Sequence, residues 1–407
     1  MNRIHYTKIK SLFYSSVVIL MMFTLYSGCK TNNFLGNKDT LLFPAIQGNQ
    51  YCYINNKGDV IIPPSFDDAG DFYSDRAIVK IGEKYGVINQ YGDFILKPTL
   101  PSPPMRFFDG FSVINQSSIS KTKKVYDKYN HFIFSLDCEN ISPFKEFIAS
   151  FKSGKKWGYV NSEGIIIIKP KFEIAGLFSE GNARVNINQK WGYIDNQGNL
   201  IIHYIYDTAS DFINNKAVVS INKQLKLIDK QNNIILNFES NIGEIIPSYD
   251  DLWPAYDLEQ KKFGFYSISK KKWIINAEYD LVNEFSEGLA VVMKMEGDKY
   301  KAGAINKKGN VIIPLKYDGV GSCKNGILPV SIDIVGLDGH QITAIGYVNK
   351  KGKYIWRPQL DPIDLKLHNK EIKDKCKGYL NRRINSITSP IDTPRIKGMQ
   401  QKCETWK

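Results

Sequence analysis

The stretch Lys156-Trp157-Gly158-Tyr159-Val160-Asn161-Ser162-Glu163-Gly164 recurs as Lys190-Trp191-Gly192-Tyr193-Ile194-Asp195-Asn196-Gln197-Gly198. Weaker copies keep the same pair of small positions: Lys84-Tyr85-Gly86 with Gly92, Ala302-Gly303 with Gly309, and Ile345-Gly346 with Gly352. Cys52 with Gly58, Lys124 with Asn130 and Lys226 with Asn232 fit the same register, and Phe263-Gly264-Phe265 is followed by Lys270 and a one-residue insertion. The second marker returns every 34 to 43 residues or so, the spacing of a repeat architecture.

The replacements explain the second marker. Asn130 and Asn232 stand where the other copies have glycine, and Asn is the other residue that tolerates a left-handed backbone, so the position is the corner of a tight hairpin. Lys270 departs from this rule and predicts a looser loop. Alternating residues precede the corner and a β-rich run follows it, as in Asn199-Leu200-Ile201-Ile202. Proline ends that run at Pro63, Pro98, Pro170 and Pro314 because it cannot donate to a ladder. A second block, Phe178-Ser179-Glu180-Gly181-Asn182-Ala183 and Phe285-Ser286-Glu287-Gly288-Leu289-Ala290, turns the chain into the next strand. Each unit is therefore an antiparallel meander of three strands, with a short fourth near Phe66-Asp67 or Tyr206-Asp207. A single meander cannot bury its apolar face, so neighbours stack. The expected fold is all-β, a tandem array of eight or nine such units arranged as a propeller or an open β-solenoid, with unit size favouring blades. The glycine of the Trp-Gly pair is read as a close approach, covered by an aromatic of the adjacent unit.

These residues resemble the WG repeat family, named for its Trp-Gly pair, over about residues 42–360. The resemblance implies an all-β repeat structure acting as an interaction or structural module, and it implies no defined reaction. Tyr85, Trp157, Trp191 and Phe263 mark the aromatic position. Gly86, Gly158, Gly192, Gly264, Gly303 and Gly346 mark the first glycine, and Gly58, Gly92, Gly164, Gly198, Gly309 and Gly352 the second.

Residues 1–28 read as an export signal, with a basic start, an apolar stretch from Leu12 to Leu25, and Tyr26-Ser27-Gly28 before Cys29. This resembles the lipobox of bacterial lipoproteins, which implies a diacylglycerol on Cys29, a tether over residues 29–41 and attachment to a membrane. Lys30 after the cysteine favours an outer-membrane destination. Residues 361–407 form a basic tail, in which Asp361-Pro362 and the spacing of Leu365, Ile372, Cys376, Tyr379, Leu380 and Ile384 predict a short helix capping the last unit. Cys376 and Cys403 are candidates for a disulfide; Cys52, Cys138 and Cys323 occupy small core positions of the repeat.

The chain carries a formal charge of +13, much of it in the tail, and no dense basic stripe in the body points to nucleic acid. The histidines are isolated, and no metalloprotease, phosphate-loop or nucleophile-elbow motif occurs. The acids Asp67, Asp68, Asp71 and Asp75 cluster, as do Asp250 and Asp251, and paired carboxylates can hydrolyse glycosides. Asp67, however, has counterparts at Asp207, Asp280 and Asp318, which marks a capping role repeated in each unit. The sequence thus favours a non-catalytic, lipid-anchored envelope scaffold for a protein or glycan partner, needing no cofactor or metal; the alternative is a propeller-type glycan hydrolase. Exposed aromatics could stack on sugar rings, although Trp157 and Trp191 are expected in the core.

Overall fold

The computed structural model describes residues 41–115, 121–335 and 341–360. Among them the chain forms nine antiparallel sheets, stacked as the blades of a propeller. We number the blades 1 to 9: residues 43–66, 68–100, 111–137, 140–172, 174–206, 208–237, 242–279, 281–317 and 319–360. Seven blades have four strands in sequence order, and blades 1 and 3 have three. The extra strand is the expected short one, only two residues long in Asp68–Ala69 and Thr208–Ala209. The Trp-Gly strand is third, as in Lys190–Asp195, and the fourth strand, as in Leu200–Tyr206, has an exposed edge. The tail helix and the Cys376–Cys403 pair lie outside the described residues.

Blades bury their apolar faces against one another. One cluster joins Tyr193, Ile202 and Tyr206 of blade 5 to Ala209, Phe212, Ala217, Val219 and Ile228 of blade 6. Each large apolar side chain buried this way stabilises the stack by about 1.5–3 kcal/mol. The same packing closes the ring, since Phe43, Ala45, Cys52 and Ile54 of blade 1 pack with Ile327 and Tyr347 of blade 9. Trp356 Nε1 donates to the Ile46 carbonyl at 3.1 Å, and Asn56 Nδ2 to the Asn325 carbonyl at 3.2 Å. A closed propeller, rather than an open solenoid, is the outcome.

The hairpin corners are left-handed as the sequence requires, from Gly58 at φ 90° to Gly352 at 76°, with Asn130 at 66° and Asn232 at 68°. The residue opening each corner adds a second device. The Asn161 Oδ1 accepts the peptide N–H of Glu163 and of Ile165, and Asp195 does the same for Gln197 and Asn199. Blade 7 has Ser267 at this position, and Asp251 reaches over to accept from Ser269 N instead. The loosening expected at Lys270 is not seen. Ser267 pairs with Lys272, and the inserted Lys271 takes the positive φ of 53°.

The Trp-Gly glycine has a different cause from the one the sequence suggested. A Cβ on Gly158 would sit 2.5 Å from the Ile168 carbonyl oxygen, and one on Gly192 2.4 Å from that of Ile202. The covering group is backbone of the blade's own fourth strand, not an aromatic of its neighbour. That strand bulges here, so Trp191 pairs with Tyr206 while Tyr193 pairs with Ile202. Where lysine replaces glycine the bulge is absent: Lys226 and Leu227 pair in register with Asn237 and Leu236, and Lys124 and Val125 with Ser135 and Phe134. Cys52 keeps the bulge with a fully buried side chain.

Candidate functional site

The turn between the first and second strands places two consecutive residues at positive φ: Glu180 (56°) and Gly181 (80°) in blade 5, Glu287 (50°) and Gly288 (87°) in blade 8. Such turns suit the twist of a hairpin but strain any side chain. The neighbouring blade caps them. Glu146 accepts the peptide N–H groups of Glu180 and Gly181, Glu180 those of Asn214 and Asn215, and Glu287 those of Asn325 and Gly326. Burial pushes the Glu287 carboxyl up, but Lys350 and the two peptide N–H groups outweigh it and hold it below the usual carboxylate range.

The recurring acid has the capping role its periodicity suggested. Asp67 Oδ2 accepts Gly82 N at 2.8 Å, Asp207 Oδ2 accepts Asn222 N at 2.7 Å, and Asp318 Oδ2 accepts Asp333 N at 2.8 Å. Asp67 and Asp207 thereby close the hairpin between the second and third strands, while Asp318 binds within the second strand of its blade. The lysine before the Trp-Gly pair supplies a counter-charge: Lys190 to Asp207 at 2.5 Å, Lys301 to Asp318 at 2.6 Å, and Lys262 to Asp280. Asp68 accepts Ala69 N and Asp75 accepts Gln90 Nε2. Among the described residues no three His, Cys, Asp or Glu side chains converge as metal ligands. Cys52, Cys138 and Cys323 are free and buried, and burial pushes the Cys323 thiol up to about 12.

Aromatic side chains gather on one sector instead. The turns between third and fourth strands and those between first and second strands share one face of the ring, as Lys350 Nζ shows by reaching the Glu287 carbonyl at 2.9 Å. On this face blades 2 to 4 expose Tyr91 (84% accessible), Phe147 (61%), Tyr129 (57%) and Phe132 (53%). Tyr73 and Phe108 stack beside them with ring centroids 5.8 Å apart. Cations lie over the rings: Arg106 is 5.2 Å and Lys324 5.7 Å from the Tyr73 centroid, and Arg76 is 5.6 Å from that of Tyr129.

Phe147 is the outlier of this group. It occupies the second left-handed turn position at φ 62°, where the other copies have Gly110, Gly181, Gly288 and Gly326 or the short polar Asp75 and Asn215. A bulky side chain there is sterically costly. Its N–H is held by Asp109 Oδ2 at 3.2 Å and its ring meets Phe111 edge-on. The signal in the sequence is a phenylalanine where glycine or a short polar residue is usual, Phe144-Lys145-Glu146-Phe147 standing against Phe178-Ser179-Glu180-Gly181 of the next unit. Of the aromatics of the Trp-Gly motif, Trp157 and Trp191 pack against the apolar clusters between blades without being fully buried. Tyr85, Trp157, Trp191 and Phe263 are all half-buried, and the Arg184 guanidinium covers Trp191 at 5.3 Å. Cys29 lies outside the described residues.

Solved structures similar in shape include Hsv2p of Kluyveromyces lactis, at 11% identity over 64% of this chain and 97% of that one, with a TM-score of 0.41. The dihydro-heme d1 dehydrogenase NirN is 10% identical over 68% of this chain and 75% of that one, TM-score 0.41. AztD from Citrobacter koseri is 9% identical over 67% and 92%, TM-score 0.39. No curated protein matches the chain. A family match does follow the repeat, and it straddles the blades: the stretch 157–191 begins in the third strand of blade 4 and ends in the third strand of blade 5. The chain carries WG containing repeats, matched by the family model at residues 51–85, 157–191, 191–224, 263–300 and 303–333.

Proposed function

We propose that the protein is a non-catalytic scaffold of the cell envelope, held by a lipid on Cys29, that offers the aromatic sector of blades 2 to 4 to a glycan or protein partner. The observation that carries this reading is Phe147, an exposed aromatic kept in a backbone conformation that the other copies give to glycine or to the short polar Asp75 and Asn215. Strain retained at a surface position points to use of the side chain. Flanking Tyr91, Tyr129 and Tyr73 supply rigid, amphipathic rings of the kind that stack on sugars or anchor protein interfaces. The recurring acids support a structural role, since those described above are engaged by peptide N–H groups and lysines. Glycan arrays and pull-downs from envelope extracts test the reading. A ligand retained by the native chain and lost by Tyr91→Ala with Tyr129→Ala supports it; turnover of a glycan substrate, or no ligand in any screen, overturns it. Metabolic labelling with an acyl probe, compared between the native chain and Cys29→Ala, tests the anchor.

A further inference from the structure

Ring closure gathers charge that is dispersed in the sequence. The turns leading into the last strand of blades 7, 8, 9 and 1, residues 268–271, 306–310, 349–353 and 55–59, become neighbours on one face because blade 9 packs against blade 1. They expose Lys270, Lys271, Lys308, Lys351, Lys353 and Lys57. Lys307 and Lys350 stand with them, each paired to an acid of an adjoining turn, Asp250 and Glu287. Asp59 is the acid of these four turns. The equivalent turns of blades 2 to 6 have the opposite balance, with Asp93, Asp127, Glu163, Asp195 and Asp229 against Lys128 and Lys230. One face of the ring is thus basic along one arc and mildly acidic along the other.

The chain enters the domain on this same face. Phe43 pairs with Ile54, whose strand runs directly into the turn 55–59, whereas Gln47 and Gln50 meet at the far end of the blade. Residues upstream of Leu42 therefore join the ring beside Lys57. The segment from Cys29 to Leu42 can span at most roughly 45 Å even when fully extended.

We propose that the lysine arc of blades 7, 8, 9 and 1 docks on the anionic phosphate headgroups of the membrane that holds Cys29. The tether half of this statement rests on the lipid-anchor reading above; the charge half does not. Each lysine held near an anionic leaflet raises partitioning about fivefold, and the effect is screened within a Debye length. The exposed apolar residues Ile61 and Val311, which follow two of the turns, suit the boundary between headgroups and acyl chains. A short tether raises the local concentration of the surface, so that individually weak lysine contacts act together. Docking in this orientation presents the aromatic sector, on the same face, at the level of the membrane surface.

The test uses residues 29–407 with Cys29→Ser, which keep every blade and carry no acyl chain. Co-sedimentation is measured with vesicles of phosphatidylcholine alone and with added phosphatidylglycerol, at low and raised salt. The expected result is salt-sensitive binding to the anionic vesicles only, reduced at least a hundredfold or so by Lys270→Glu, Lys271→Glu, Lys308→Glu and Lys351→Glu together. The same charge change on the opposite face, at Lys155, Lys223, Lys261 and Lys299, leaves binding in place. Equal losses from both sets, equal binding to neutral vesicles, or retention by duplex DNA with no vesicle binding each overturns the proposal. Should the reversed arc fail to fold, the corresponding Lys→Gln set gives the same comparison. A negative acyl-probe result together with persistent vesicle binding removes the anchor but not the docking surface.

Discussion

The Tyr347 hydroxyl donates to the Pro44 carbonyl at 2.6 Å, joining residues 303 positions apart. It repeats a local contact: Tyr53 to the Gly70 carbonyl, Tyr159 to Gly176 and Tyr193 to Ser210, each 17 residues apart and each from the strand before the last of one blade to the next blade. The last blade treats the first as its successor. Burial holds the Tyr347 hydroxyl well above its ordinary value, so it remains a donor throughout the physiological range.

Tyr347→Phe is expected to cost about 1–2 kcal/mol, leaving a buried carbonyl without its donor, and Tyr193→Phe a similar amount. Urea denaturation midpoints compare the two. A loss at 193 with none at 347 would contradict closure through this contact.

Alanine at Gly158 or Gly192 forces a Cβ against a carbonyl oxygen of the bulged fourth strand and is expected to cost roughly 1–3 kcal/mol. Lys226→Ala, at the same repeat position in a blade without the bulge, is expected to change stability by less than about 0.5 kcal/mol. Thermal melts of the three variants check this, and equal effects would remove the bulge as the reason for the glycine.

Acid should loosen the ring through its lysine–carboxylate caps. Burial pushes the Asp318 carboxyl up, but Lys301 and the Asp333 N–H overcome it and hold the group below its ordinary value of 3.8. A carboxyl depressed by folding adds stability above its unfolded value, and that stability is lost as pH falls through the folded one. The melting temperature should therefore hold from neutrality to about pH 5 and fall below it, with a shallower fall in Asp318→Asn. Identical slopes in the two proteins would exclude this cap as a contributor.

Phe147→Gly separates stability from use. Relief of the left-handed phenylalanine is expected to raise stability by up to about 1 kcal/mol, while retention of the partner falls. A variant both less stable and fully binding would make the residue an ordinary packing element.

The hairpin corners were legible in the sequence because Gly and Asn share one backbone preference, and Asn130 and Asn232 revealed it. Blade number followed from the markers. The first glycine was misread because its partner is a bulge in the following strand, and a bulge leaves no residue type behind it. The signal that did exist was negative: Lys124 and Lys226 mark the two copies whose last strands pair without a bulge at that position. The caps from Glu146, Glu180 and Glu287 need the next blade in place, and the contact of Asn56 with Asn325 needs the closed ring. They join residues that are neighbours only after folding.

The central claim is that these repeats close on themselves and so create a face with an aromatic and a basic sector. Spin labels at Lys57 and Lys324, with Cys29, Cys376 and Cys403 replaced and the buried thiols left in place, measure closure across the Asn56–Asn325 contact. A single short distance with a narrow distribution is predicted; a broad distribution of long distances would contradict the ring and both sectors with it.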